Sequence, residues 1–205
     1  MEPQWLVWTR RLQALAQNGL AFTDDPFDRE RYEELRQIAA EMAASGTADQ
    51  VPTLVDLFSR DSWYATPKID MRGAVFNGDR LLFVKEKSDG RWTLPGGFAD
   101  VGSSPAENVA REVREESGFS VRPIKILAVY DRSRHPHPPH GYHVYKIFVL
   151  CDLEGGRAQS SIETTEVDFF PEDEIPPLSV ARVTAPQIDR VFAHHRHPDR
   201  PTDFD

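Results

Sequence analysis

The stretch Arg91-Trp92-Thr93-Leu94-Pro95-Gly96-Gly97-Phe98-Ala99-Asp100-Val101-Gly102-Ser103-Ser104-Pro105-Ala106-Glu107-Asn108-Val109-Ala110-Arg111-Glu112-Val113-Arg114-Glu115-Glu116-Ser117-Gly118-Phe119 reads as a strand, a glycine-bearing turn and a short helix. Ser104 has the chemistry of an N-cap, Pro105 suits the first helical position, and Glu107 completes a capping box. Gly118 suits a left-handed C-cap. Val109 and Val113, four apart, give the helix an apolar stripe. Glu112 and Glu116 share that spacing, with Glu115 beside them. Like charges so placed repel, and carboxylates at a helix C-terminus oppose its dipole by about 0.3–1 kcal/mol each. A cation would reverse that penalty, and Mg2+ is commonly held by one or two carboxylates together with substrate phosphates. An acidic, solvated helix end is the plainer alternative, since Glu is a good helix former.

The turn is neither a Walker loop, for want of a Gly-Lys-Ser/Thr, nor a dinucleotide fingerprint. Gly97 followed by Arg111-Glu112-Val113-Arg114-Glu115-Glu116-Ser117-Gly118-Phe119 resembles the box of the Nudix hydrolases. That resemblance implies an α/β/α sandwich with a mixed sheet and Mg2+ or Mn2+ as cofactor. It also implies metal binding by the later glutamates and Arg111 as their support. One position departs: the family carries Glu six residues after the glycine, and this chain has Ser103. Asp100 or Glu107 are the acidic residues able to cover for it. The whole chain further resembles a bacterial subgroup of ADP-ribose and CDP-choline pyrophosphatases with a small helical N-terminal domain. Trp5-Leu6 through Arg11-Leu12, Tyr64 to Lys68 and His135 to His143 carry that match.

Working outward, residues 1–64 read as a small all-α accessory or dimerisation domain and 65–205 as the catalytic α/β domain. Helices are expected from Pro3 to Gly19, from Asp25-Pro26 to Gly46, and from Val51 to Ser59. Trp5, Trp8, Leu12, Leu15 and Ala16 form the apolar face of the first. Such a short helical segment buries little alone and should pack on the catalytic domain or on a second copy. A homodimer through these helices is expected, with packing only against residues 67–205 as the alternative. Past Pro67 the pattern turns to strands: Met71–Phe76 and Arg80–Lys85 as a hairpin, then Val121–Tyr130, Tyr142–Leu153 and Ile162–Phe170. A last helix starts at Thr184, and the tail after His197 is expected to fray.

A net charge of -9 argues against a large nucleic-acid footprint. The single cysteine, Cys151, excludes an internal disulfide and sits in an apolar run as a buried thiol. No signal-like or membrane-length apolar run is present, so a cytoplasmic protein is expected.

The resemblance implies a reaction in which water cleaves the pyrophosphate of a nucleoside diphosphate linked to another moiety. Glu112, Glu115, Glu116 and Arg111 are the candidate catalytic residues, and the three glutamates the candidate metal ligands. Glu163 and Glu166 are candidates for a further ligand from an opposing loop. Gly96, Gly97, Arg132, Arg134, His140, Tyr142 and His143 are the candidate substrate contacts. The proline-broken histidine run 135–140 does not suit zinc. An RNA 5'-end pyrophosphohydrolase and a nucleotide-binding regulator with a weakened site are the alternative functions.

Overall fold

The computed structural model describes residues 2–205. The chain forms two compact units, one holding the residues up to Pro67 together with Pro139–His143, the other holding Lys68–Pro138 and Val144–Asp205.

The first unit is built on α1 (Gln4–Phe22), α2 (Pro26–Gly46) and α3 (Val51–Ser59). Asp25 caps α2 by accepting from the Phe27 and Asp28 amides at 2.8 and 3.0 Å, and Pro26 opens it. The helix expected to stop at Gly19 continues to Phe22. Gly19 is a contact point rather than a cap: a Cβ there would lie 2.3 Å from the Tyr32 ring. At the other end Gly46 meets the Trp5 ring in the same way, also at 2.3 Å. The two contacts make α1 and α2 antiparallel neighbours. The inward side of α1 also differs from expectation. Leu6, Thr9, Ala16 and Gln17 are its buried residues, whereas Trp8, Leu15 and Phe22 are 51, 59 and 61% exposed. Ala39, Ala40 and Ala43 of α2 face inward, with Leu54 of α3 against Ala40 and Ala43.

The second unit contains seven strands: β1 (Lys68–Asn77), β2 (Arg80–Glu86), β3 (Trp92–Thr93), β4 (Phe119–Asp131), β5 (Val144–Gly156), β6 (Thr164–Phe170) and β7 (Asp203–Phe204). Their order is β3-β2-β1-β5-β4-β7, with β6 also on β2. Pairing is parallel for β1–β5 and β4–β7 and antiparallel elsewhere. The expected hairpin forms, with Gly78 at φ 60° in its turn.

Strand alternation supplies two cores. Met71, Val75, Val149 and Cys151 face α4 (Pro105–Ser117), packing on Val109 and Val113. Ala74, Phe148, Ala128 and Tyr130 face α5 (Ala185–Arg196), packing on Ile188, Val191 and Phe192. The result is the expected layer of helix, mixed sheet and helix. Gly73 lets α4 approach, since a Cβ there would sit 2.5 Å from Val113 Cγ2. The tail does not fray. Asp203 and Phe204 pair with Ala128 and Val129, and Asp203 lies 3.2 Å from His194 Nε2. Among the described residues no helix is long and apolar enough to cross a membrane.

Candidate active site

The box loop is stitched to β1. The Gly73 amide donates to Pro95 O at 2.9 Å, Met71 to Gly97 O at 2.8 Å, and Ala99 to Ile69 O at 2.9 Å. Gly96 is irreplaceable in this path: its φ is 139°, and a Cβ would lie 2.0 Å from Met71 O. Its amide points at α4 and donates to Glu116 Oε2 at 2.8 Å. Beside it, a Cβ on Gly97 would be 3.3 Å from Glu112 Oε2.

The helix forms as its sequence dictates. Ser104 and Glu107 make both bonds of the capping box, and Gly118 takes φ 78°. Glu107 is thereby committed to the cap. Asp100, three residues before Ser103, pairs with Arg111, its Oδ2 2.6 Å from Arg111 Nη2. The same guanidinium reaches Glu112 at 2.8 Å and Glu115 at 3.0 Å. Arg111 therefore gathers three carboxylates, the task for which its donor fork is suited. Asn108 ties this arrangement to the loop, donating to Ser103 O at 3.2 Å and accepting from the Asp100 amide at 2.8 Å.

The glutamates differ in burial. Glu116 is 6% exposed, and burial raises its pKa to about 7 against the opposing pull of Arg72 and the Gly96 amide. Glu112 and Glu86 push it up further. Burial also raises Glu112, which Arg111 partly offsets. Glu115 is more exposed and leans on Arg111.

Behind the loop lies a set of buried charges. Asp70 receives Arg72 through Nε at 3.0 Å and Nη2 at 2.7 Å, and Lys146 Nζ at 2.5 Å. Burial alone would raise the Asp70 pKa, but Arg72 and Lys146 outweigh it and hold it at about 2. Burial lowers Lys146 to about 8, so it stays protonated at neutral pH. Arg72 Nη1 also donates to Leu94 O at 3.2 Å. Glu86, buried at the end of β2, pairs with Arg182 at 2.8 Å, and burial raises its pKa despite Arg182 and Arg72.

Sequence reasoning missed Asp70, Arg72, Lys146, Glu86 and Arg182. A trace was legible: Ile69-Asp70-Met71-Arg72 alternates apolar and charged residues in a strand whose two faces are both buried.

The other candidates are dispersed. Gly96 and Gly97 stand beside Glu116 and Glu112. Glu163 is exposed, and its charge acts on Glu86. Glu166 is engaged by Lys85 at 2.7 Å across the β2–β6 pair. Arg132 is buried, while Arg134 lines a separate cavity of about 420 Å³ with Tyr145, Phe204 and Asp205. His140, Tyr142 and His143 belong to the helical unit, where His140 Nδ1 lies 3.2 Å from the Tyr142 amide.

Among the described residues no three carboxylate or imidazole groups already converge on a cation position. Glu112 and Glu116 nevertheless suit a hard cation. Each commits one oxygen, to Arg111 and to Gly96, and a carboxylate accepts about four bonds. Burial raises the pKa of both, and a divalent ion beside them would offset that cost of ionisation. Water and substrate phosphates would complete its shell.

Comparison with known proteins places the sequence and the fold among relatives. Residues 67–192 match the NUDIX domain, and residues 3–58 match a domain described as "UDP-X-like, N-terminal oligomerisation domain". The chain is 48% identical over 205 residues, covering 100% of itself and 99% of its relative, to the Bacillus subtilis protein named "Putative ADP-ribose pyrophosphatase YjhB". A crystal structure of a UDP-X diphosphatase aligns with TM-score 0.64 and 33% identity over 98% of each chain. An ADP-ribose pyrophosphatase from Streptococcus suis aligns with TM-score 0.63 and 40% identity, covering 68% of this chain and all of that one. With its box glutamates held by Arg111 and Gly96, and with this match along its catalytic unit, the chain belongs to the Nudix hydrolase family.

Proposed function

We propose that this enzyme hydrolyses the pyrophosphate bond of a nucleoside diphosphate linked to a second moiety, such as ADP-ribose or CDP-choline, in a reaction requiring Mg2+ or Mn2+. The supporting observation is the pair Glu112 and Glu116, one helical turn apart, the first half-buried and the second buried, fixed through Arg111 and the Gly96 amide. Water adds across the anhydride. Its oxygen joins one phosphorus, the bridging oxygen leaves with the other, and a proton is released. The products are a nucleoside monophosphate and a second phosphate-bearing group. A bound divalent ion supplies neutralisation of phosphate charge and a more nucleophilic water.

The chain's own residues then have distinct parts. Glu112 and Glu116 hold the ion, with Glu115 beside them. Arg111 fixes Glu112 and Glu115 in direction and is itself aimed by Asp100. Glu163 is the favoured acidic residue from the opposing loop, because its charge reaches Glu86, while the Glu166 carboxylate is already paired with Lys85. The Asp100–Arg111 pair argues against a regulator with a weakened site, since the support attributed to the missing Glu at 103 is present.

A panel of ADP-ribose, CDP-choline, UDP-sugars, nucleoside triphosphates and 5'-triphosphorylated RNA, each with Mg2+ or Mn2+, tests the reading. Release of a nucleoside monophosphate from the linked diphosphates supports it. Turnover of RNA ends alone, or of nothing, refutes it.

We further propose a homodimer through the helical unit. Trp8, Leu15 and Phe22 recur every seven residues on the exposed side of α1. That spacing keeps side chains on one stripe of a helix, as a helix–helix seam requires.

A further inference from the structure

We propose that Arg72 is a positioning residue for the metal site, holding the Leu94–Gly97 loop so that the Gly96 amide fixes the Glu116 carboxylate. The inference rests on Glu116 being a metal ligand, as proposed above.

The path is continuous in the structure. Asp70 is gripped by Arg72 through two bonds and by Lys146 through a third. That fixes the guanidinium plane inside the core, where Arg72 is 4% exposed. The remaining arm, Nη1, donates to Leu94 O at the point where the chain leaves β3. Two residues later the Gly96 amide donates to Glu116. The neighbouring bonds from Gly73 to Pro95 and Met71 to Gly97 come from β1 itself, so Arg72 closes a short ladder between β1 and the loop. Rigid support of this kind carries through to a ligand's orientation, and partners behind metal ligands are commonly worth 10–100-fold in affinity.

Charge alone does not explain the choice of arginine. Lysine would keep the positive charge facing Glu116 but cannot bond both Asp70 oxygens and a carbonyl in fixed geometry. A simple core ion pair would require only Asp70 and Lys146. The three-way bond to Asp70 and Leu94 is what a loop support needs.

The test uses the full-length chain and Mn2+ alone, with binding followed by electron paramagnetic resonance and exchange of the Gly96 amide followed by NMR. Arg72→Lys should weaken Mn2+ binding by about tenfold and speed Gly96 exchange. Arg72→Gln leaves Asp70 and Lys146 as a balanced pair and covers the case in which the lysine variant does not fold. Gly96 exchange should speed up there too. Wild-type Mn2+ affinity and Gly96 protection in the variants, with only thermal stability lowered, would overturn the assignment. Glu116→Gln separates the two readings. If it abolishes Mn2+ binding while Arg72→Lys binds Mn2+ with wild-type affinity, the Arg72 role alone fails. If the wild-type chain does not bind Mn2+, the metal site and the Arg72 role fail together.

Discussion

In the catalytic unit a core of large side chains is sealed inside, Phe83, Phe148, Met71 and Leu127 each at 1% exposure or less. In the helical unit the buried residues are Ala16, Ala39, Ala40 and Ala43 with Leu6, Leu54, Thr9 and Gln17, while Trp8, Leu15, Phe22, Phe27 and Trp63 are at least half exposed. Thr9 Oγ1 and Gln13 Oε1 are also buried there without a hydrogen-bond partner. Each fully buried large apolar side chain stabilises a fold by about 1.5–3 kcal/mol. The catalytic unit collects that gain within one chain, and the helical unit leaves much of it unrealised. The catalytic unit thus encloses its charges in a packed core, and the helical unit is where the proposed homodimer would recover apolar burial. The same contrast governs where substitutions should act.

The largest effect belongs to the catalytic unit. Glu112→Gln or Glu116→Gln keeps size but removes a ligand charge, and each should lower kcat at limiting Mg2+ or Mn2+ by at least about 100-fold, since partners merely behind a ligand are worth up to that much. Folding should be retained, as judged by circular dichroism and thermal unfolding. Equal turnover by the wild type and both variants would remove the functional side of the comparison.

The next effect is a pH dependence confined to the catalytic unit. Glu116 holds its proton to about pH 7 in the folded chain, against an ordinary value of 4.5. Between those values the folded state binds more proton than the unfolded one. Its stabilising contribution is thus complete below about pH 4.5 and is lost as pH rises through about 7. At about 1.4 kcal/mol per pH unit the swing reaches roughly 3 kcal/mol. Denaturant unfolding without metal, from pH 4.5 to 8, should show wild type losing this amount relative to Glu116→Gln. Parallel curves would show that Glu116 is not held neutral by burial. Added Mn2+ should restore stability to the wild type at the upper end.

A smaller change probes the helical unit. Trp8→Ala removes exposed apolar surface, so a monomer should be no less stable. If α1 forms the dimer seam, about 2 kcal/mol is lost at the interface and the dissociation constant rises about 30-fold. Light scattering over a dilution series measures this. A wild-type chain that stays a compact monomer at micromolar concentration would refute the seam.

These contrasts also explain what the sequence disclosed. The box was readable because its chemistry is local: Ser104 to Glu107, Arg111 to Glu115, and Glu112 to Glu116 are contacts within one helix. The helices of the first unit were readable from caps and prolines. Their facing was not, because Trp5 packs on Gly46 while Trp8, three residues on, stays outside. Pattern reading assigns every large apolar residue to an interior, which fails where half of the buried residues are alanine. Asp70 with Lys146, Arg72 with Leu94, and Glu86 with Arg182 join residues 76, 22 and 96 positions apart, and no local spacing reports such pairs. The run from His135 to His143 looked like one substrate loop between two strands. It divides instead: His137 bonds to Val180 O in the catalytic unit, while Pro139–His143 joins the helices.

The smallest effect concerns Ser103, where the family carries Glu. Read from sequence alone, Ser103→Glu should restore a missing support for Arg111 and raise activity modestly. In the structure Asp100 already pairs with Arg111, 2.6 Å from Nη2, and Arg111 also pairs with Glu112 and Glu115. A fourth carboxylate adds repulsion as well as attraction, and pairs this exposed are worth about 0–1 kcal/mol. Ser103→Glu should therefore change kcat by no more than about threefold in either direction, leaving substrate preference unchanged. Asp100→Asn should cost more, because it removes the charge that aims the guanidinium, and Ser103→Glu introduced on that background should recover part of the loss. Measuring the four forms under one buffer and salt gives the coupling between positions 100 and 103 directly. Independent effects would mean that Asp100 does not stand in for the missing glutamate. A large gain from Ser103→Glu alone would mean that Asp100 supports Arg111 poorly, and that this site, for all its burial, is less rigid than its hydrogen bonds suggest.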